Sequence, residues 1–165
     1  MSPKNFQFLI AERLDKMNFT VQLAGDVKSK DGGIDIIATP KQSPFPFLLG
    51  VQVKHHRLAK ATGQSDVRDL QGTIIGNQSI FHMGMLVTNT HFSPDARWFA
   101  EKNKRLLRLR DLEDLKRWLQ NDFSNPHDWR EIPEEIEITR GVTIQVPVPK
   151  IIKEARQKII TNTIR

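Results

Sequence analysis

Lys30-Asp31-Gly32-Gly33-Ile34-Asp35-Ile36-Ile37, then a break holding Pro40, Pro44 and Pro46, then Leu48-Leu49-Gly50-Val51-Gln52-Val53-Lys54, decides how the chain is read. Glycines suit a turn into a strand, and a proline-rich connection suits a loop between two strands. Side chains alternate faces along a strand, so Asp35 and Ile37 share one face and Gln52 and Lys54 share another. Neighbouring strands would bring an acid, an amide and a lysine to one sheet edge. Mg²⁺ takes hard oxygen ligands, commonly one or two carboxylates with waters and substrate phosphate. Asp35 and Gln52 each offer such an oxygen, the Val53 carbonyl offers a third, and the Lys54 ammonium could orient water or offset charge on a phosphate. A turn followed by a solvated strand face accounts for the same spacing, which alone leaves both readings open.

The flanking segments repeat local signals. Ser2-Pro3 suits a helix cap, and Phe6, Leu9, Ile10, Leu14 and Met17 recur at helical spacing, predicting a helix over residues 3–17. Phe19 to Leu23 alternates like a short strand, closed by a turn at Gly25-Asp26. Ser65 is the expected cap of a helix with Val67, Leu70 and Ile74 inward, ending at Gly76. Residues 83–88 read as a buried strand, and Ser93-Pro94 opens a helix with Ala96, Phe99 and Ala100 inward. Within the basic run Lys102 to Arg110, interleaved leucines predict a strand on which Arg108 and Arg110 share a face. Asp111 is the expected cap of a helix carrying Leu112, Leu115, Trp118 and Leu119.

Together these give the order α-β-β-β-α-β-α-β-α, an α/β architecture with a mixed central sheet flanked by helices. The composition shifts near residue 122, which divides the chain into 1–122 and a C-terminal extension, 123–165. That extension reads as a linker, a hairpin turning at Arg140-Gly141, and a basic helix over 150–165. Its roles could include pairing across a dimer, docking a partner or capping the sheet.

At 165 residues the chain is long enough to bury one substantial core. Cysteine is absent, which excludes a disulfide framework, a thiolate metal site and a thiol nucleophile. No apolar run approaches the roughly 20 residues of a membrane span. The start, Met-Ser-Pro-Lys, lacks the apolar core of a signal peptide, so the expected location is cytoplasmic. A net charge of +6 favours a polyanionic partner, because neutralised phosphates release counterions. Lys30, Arg57 and Lys60 are the candidate phosphate contacts. The adjacent His55 and His56 would point to opposite strand faces, which argues against shared metal ligation.

The succession of a helix, Gly-Gly-Ile-Asp-Ile and Val-Gln-Val-Lys resembles the PD-(D/E)XK nucleases, specifically the Mrr-like restriction endonucleases. Val67 to Gly72 and Met85 to Ala96 resemble later family segments, and the likeness covers roughly residues 5–120. It implies a restriction-endonuclease-like core, a Mg²⁺-dependent DNA endonuclease of restriction or defence type with Mn²⁺ as substitute, and DNA as partner. Asp35 would be the metal ligand, Gln52 the second motif position and Lys54 the catalytic lysine. The sequence departs from the family at Phe6-Gln7, where a Phe-Glu pair is common. Either Glu12, about 140° further round the helix, serves through a shifted register, or the site has one carboxylate fewer. A catalytically silent nucleic-acid-binding module is the alternative that Gln7 motivates. A junction-resolving or transposition endonuclease is another, since one core serves several roles. Cutting two antiparallel strands suits a homodimer on symmetry grounds.

Overall fold

The computed structural model of the chain describes residues 1–24 and 33–164. Two compact units emerge, Met1–Asn121 and Asp122–Arg165. In the first, helix α1 (Pro3–Lys16) precedes strands β1 (Phe19–Leu23), β2 (Ile36–Pro40) and β3 (Leu49–Lys54). Helix α2 (Gln64–Ile75), strand β4 (Met83–Thr88), helix α3 (Pro94–Lys102), strand β5 (Leu107–Arg110) and helix α4 (Leu112–Leu119) follow. This is the expected α/β order.

Local chemistry explains most of the boundaries. Ser2 Oγ accepts from the Asn5 amide and Ser93 Oγ from the Ala96 amide, each just before a proline in the first helical turn. Asp111 caps α4 through a reciprocal pair with Asp114. At α2 the structure corrects the expectation. Gly63 takes the cap position without a side-chain hydrogen bond, and Ser65 lies inside the helix. In α4, Leu115 and Trp118 are buried, whereas Leu112 and Leu119 face outward.

The five strands form one sheet in chain order, β1-β2-β3-β4-β5. β1, β2 and β3 pair antiparallel, whereas β3, β4 and β5 run parallel. The parallel steps require crossovers, supplied by α2 and α3. Leu86 of β4 joins Val67, Leu70 and Ile74 of α2, Ala96 and Ala100 of α3, Phe92 and Leu107 in one buried cluster. Its neighbours Met85 and Val87 are also buried, and alternation turns them to the other face. On α1 the buried side chains are Phe6, Ile10, Ala11, Arg13 and Leu14. Arg13 ties α1 to the end of α4, donating to the Trp118 carbonyl at 3.2 Å. Helices therefore cover both faces of the sheet. Gly84 makes room for α2, since a Cβ there would lie 2.8 Å from Ile74 Cγ1.

Within the second unit, a short 3-10 turn (Pro126–Trp129) leads to a hairpin of β6 (Glu135–Thr139) and β7 (Val142–Gln145), then helix α5 (Lys150–Ile164). Gly141, at φ +78°, supplies the left-handed turn. Arg156 of α5 donates to the backbone carbonyls of Trp129 and Ile132.

Candidate active site at the end of β3

The register explains why an acid from one strand meets an amide and a lysine from the next. Ile36 at the start of β2 stands opposite Val51 in β3, so the beginning of β2 lies beside the end of β3. Asp35 immediately precedes β2, and its backbone is fixed on both sides. Its N–H donates to the Val51 carbonyl at 2.8 Å, and its carbonyl accepts from the Ala24 amide at 2.9 Å.

The Asp35 carboxylate is held just as closely. Oδ2 accepts from the Val53 amide at 2.7 Å and Oδ1 accepts from Gln7 Nε2 at 3.0 Å. Burial nevertheless raises its pKa above the ordinary 3.8, with the Val53 amide and the Lys54 charge pulling the other way. Such a carboxylate gains from a nearby cation. Gln52 is almost fully buried, and its Oε1 has no hydrogen-bond partner among the described residues. Gly33, at φ +74°, lets the backbone pass against the Gln52 carboxamide, where a Cβ would lie 2.5 Å from Nε2. A buried, unmatched carbonyl oxygen is costly unless something electropositive meets it. Among the described residues, no three His, Cys, Asp or Glu side chains converge on a metal position. The Asp35 carboxylate and the Gln52 carboxamide oxygen are hard oxygen donors of the kind that a divalent ion keeping several waters takes.

Lys54 is half-exposed, and its Nζ lies 3.3 Å from Asp66 Oδ1 in the first turn of α2. Asp66 was invisible to sequence reasoning, because nothing local to α2 indicates what its carboxylate meets. Glu12 is not brought to this cluster: its Oε1 sits 2.9 Å from Arg13 Nη2 and 3.7 Å from Lys16 Nζ. The helical offset from Gln7 carries it round α1, and Gln7 is the α1 side chain that reaches Asp35. Arg57 and Lys60 are exposed on the loop after β3, and Lys30 lies outside the described residues. His55 packs its ring on Phe6, whereas His56 Nε2 lies 2.9 Å from Thr62 Oγ1. The two imidazoles thus have separate partners. Arg108 and Arg110 engage backbone carbonyls, at Lys104 and Leu107 for the first and Leu109 for the second.

Residues 1–119 match the Mrr_cat family, described as restriction endonuclease. The chain belongs to this family. Two solved structures share the fold at 17% identity each. A protein of unknown function, AF1548, superposes with a TM-score of 0.60, over 81% of this chain and 73% of that one. The MspJI restriction endonuclease, solved in complex with a 27-mer oligonucleotide, gives a TM-score of 0.52 over 70% of this chain. Only 27% of MspJI is covered. No curated protein matches the sequence. Membership of the Mrr_cat family implies a nuclease, and divalent-metal use is typical of the family.

Proposed function

We propose that this Mrr_cat domain is a metal-dependent DNA endonuclease of restriction type that hydrolyses phosphodiester bonds. The observation that carries this reading is the buried Gln52 Oε1, without a hydrogen-bond partner among the described residues, in the strand that ends at Lys54 beside the doubly hydrogen-bonded Asp35. Asp35, Gln52 and the Val53 carbonyl would hold Mg²⁺, or Mn²⁺ in its place. When bound, that ion polarises the phosphoryl oxygen and steadies the leaving oxyanion. Gln7 and the Val53 amide fix the Asp35 carboxylate so that it need not reorganise during reaction. Lys54 orients the attacking water and offsets charge growing on the phosphate, while Asp66 pairs with its ammonium at 3.3 Å. Arg57 and Lys60 contact flanking phosphates. MspJI was solved with an oligonucleotide, which supports a nucleic-acid partner here. The proposed setting is the cytoplasm, and no described helix is long and apolar enough to cross a membrane. A homodimer would address two antiparallel strands.

Supercoiled-plasmid nicking with Mg²⁺ and Mn²⁺ tests the reading. Wild type should nick, whereas Asp35→Ala should not and Lys54→Ala should lose roughly 100-fold or more while still binding DNA. Nicking that survives both substitutions overturns the site. A second reading, a catalytically silent DNA-binding module, is favoured by the amide of Gln7 where a carboxylate is common. It predicts salt-sensitive binding without nicking under any divalent ion.

A further inference from the structure

The loop that follows Lys54 is pinned at both ends. Asn89 Oδ1 accepts from the His56 amide at 2.7 Å, and Asn89 Nδ2 donates to the His56 carbonyl at 2.8 Å, so one side chain holds both backbone groups of His56. At the far end, Thr62 is fully buried, donates to Thr88 Oγ1 at 2.9 Å and meets the His56 ring. Its backbone bonds to His91 at 2.8 Å and Ser93 at 3.0 Å. Thr90 Oγ1 donates to the Lys60 carbonyl at 2.6 Å. Between these pins, the Lys60 amide reaches the Leu58 carbonyl at 2.6 Å and closes a tight turn.

What that turn exposes is Arg57-Leu58-Ala59-Lys60. Leu58 is 80% exposed, the most exposed large apolar side chain among the described residues. A single exposed leucine needs no explanation. Here, however, it stands between two cations, on a braced backbone, four residues from Lys54. Cations that straddle phosphates position a protein on duplex DNA without reading its sequence. An apolar side chain between them can enter a base step, unstack it and kink the helix, provided its backbone does not yield.

We propose that Leu58 is a wedge that enters a base step of duplex DNA, with Arg57 and Lys60 on the flanking phosphates. The inference rests on the nuclease reading, because it sets the kink beside the phosphate addressed by Lys54. It deepens that reading by naming deformable duplex as the substrate class. Pyrimidine–purine steps unstack most easily, so they are the preferred sites.

The test uses the full chain in EDTA, with duplexes carrying 2-aminopurine at a central TA step or within an A-tract. Bound wild type should raise 2-aminopurine fluorescence several-fold at the TA step and less in the A-tract. Leu58→Ala should abolish the rise and weaken binding about tenfold, whereas Leu58→Met should keep both. Arg57→Ala and Lys60→Ala should each reduce the salt slope of binding by about one. Saturated binding without a fluorescence rise, an equal rise with Leu58→Ala, or no binding to duplex overturns the wedge. Plasmid nicking, measured in parallel, distinguishes the failures: wild type that nicks without unstacking sinks the wedge alone, whereas unstacking without nicking under any metal sinks the nuclease reading alone.

Discussion

Gln7 Nε2 donates to Asp35 Oδ1 at 3.0 Å, so a neutral amide stands within contact distance of the proposed metal-binding carboxylate. An amide orients Asp35 without adding charge. Gln7→Glu would place two carboxylates together, a repulsion that a divalent ion relieves. Metal-free Gln7→Glu should therefore melt lower than wild type and bind Mn²⁺ on the order of tenfold more tightly, since affinity follows ligand charge. Calorimetric titration with Mn²⁺ and melting with and without metal check both halves. Equal Mn²⁺ affinity in the two proteins would separate Gln7 from the metal position.

Gly33 combines a left-handed backbone with close approach to Gln52. Gly33→Ala should cost about 1–2 kcal/mol from the strained φ. Its new methyl also pushes the Gln52 carboxamide aside, so metal-dependent nicking should fall by more than the stability loss explains. Denaturant unfolding and nicking rates on the same preparation separate the two effects.

Asp35 carries a raised pKa, so between its ordinary 3.8 and the folded value the native state holds more protons than the unfolded chain. The associated stability is fully present below pH 3.8 and fades as pH rises through the folded pKa. The stability of metal-free Asp35→Asn relative to wild type should accordingly rise from pH 3 to pH 7, set against the acceptor that the amide takes from Gln7 or the Val53 N–H. Adding Mn²⁺ at pH 7 should stabilise wild type by about 2.7 kcal/mol at a hundredfold excess over Kd and leave Asp35→Asn unmoved. Melting curves from pH 3 to 8 would show it, and a wild type that Mn²⁺ leaves unmoved would remove Asp35 from the metal site.

Asp111 behaves oppositely. Burial alone would raise its pKa, but Arg97 at 2.6 Å and the amides of Asp114 and Glu113 hold it below the ordinary 3.8. Its charge therefore stabilises the fold above pH 3.8, and that contribution is lost as pH falls through the lower folded value. Asp111→Asn keeps the helix cap and loses the charge. With Arg97 half-exposed, the expected loss at pH 7 is roughly 0.5 kcal/mol, converging to zero in acid. Paired melting curves at pH 7 and pH 3 decide it.

The sequence by itself determined the element order and nearly every boundary in Met1–Asn121. Caps at Ser2, Ser93 and Asp111, and the helical or alternating spacing of apolar residues, act over three or four positions and are written locally. It also singled out Asp35, Gln52 and Lys54 as candidates, because Gly33, Asp35, Gln52 and Lys54 fall within two consecutive strand segments. Only the tertiary structure decided which side chains meet. Gln7 rather than Glu12 reaches Asp35 across 28 positions, Asp66 meets Lys54 from a helix after a loop, and Asn89 clamps His56 across 33. Those contacts depend on sheet register and on how α1 and α2 seat against the strands, which the summed burial of the whole core sets and no short stretch encodes.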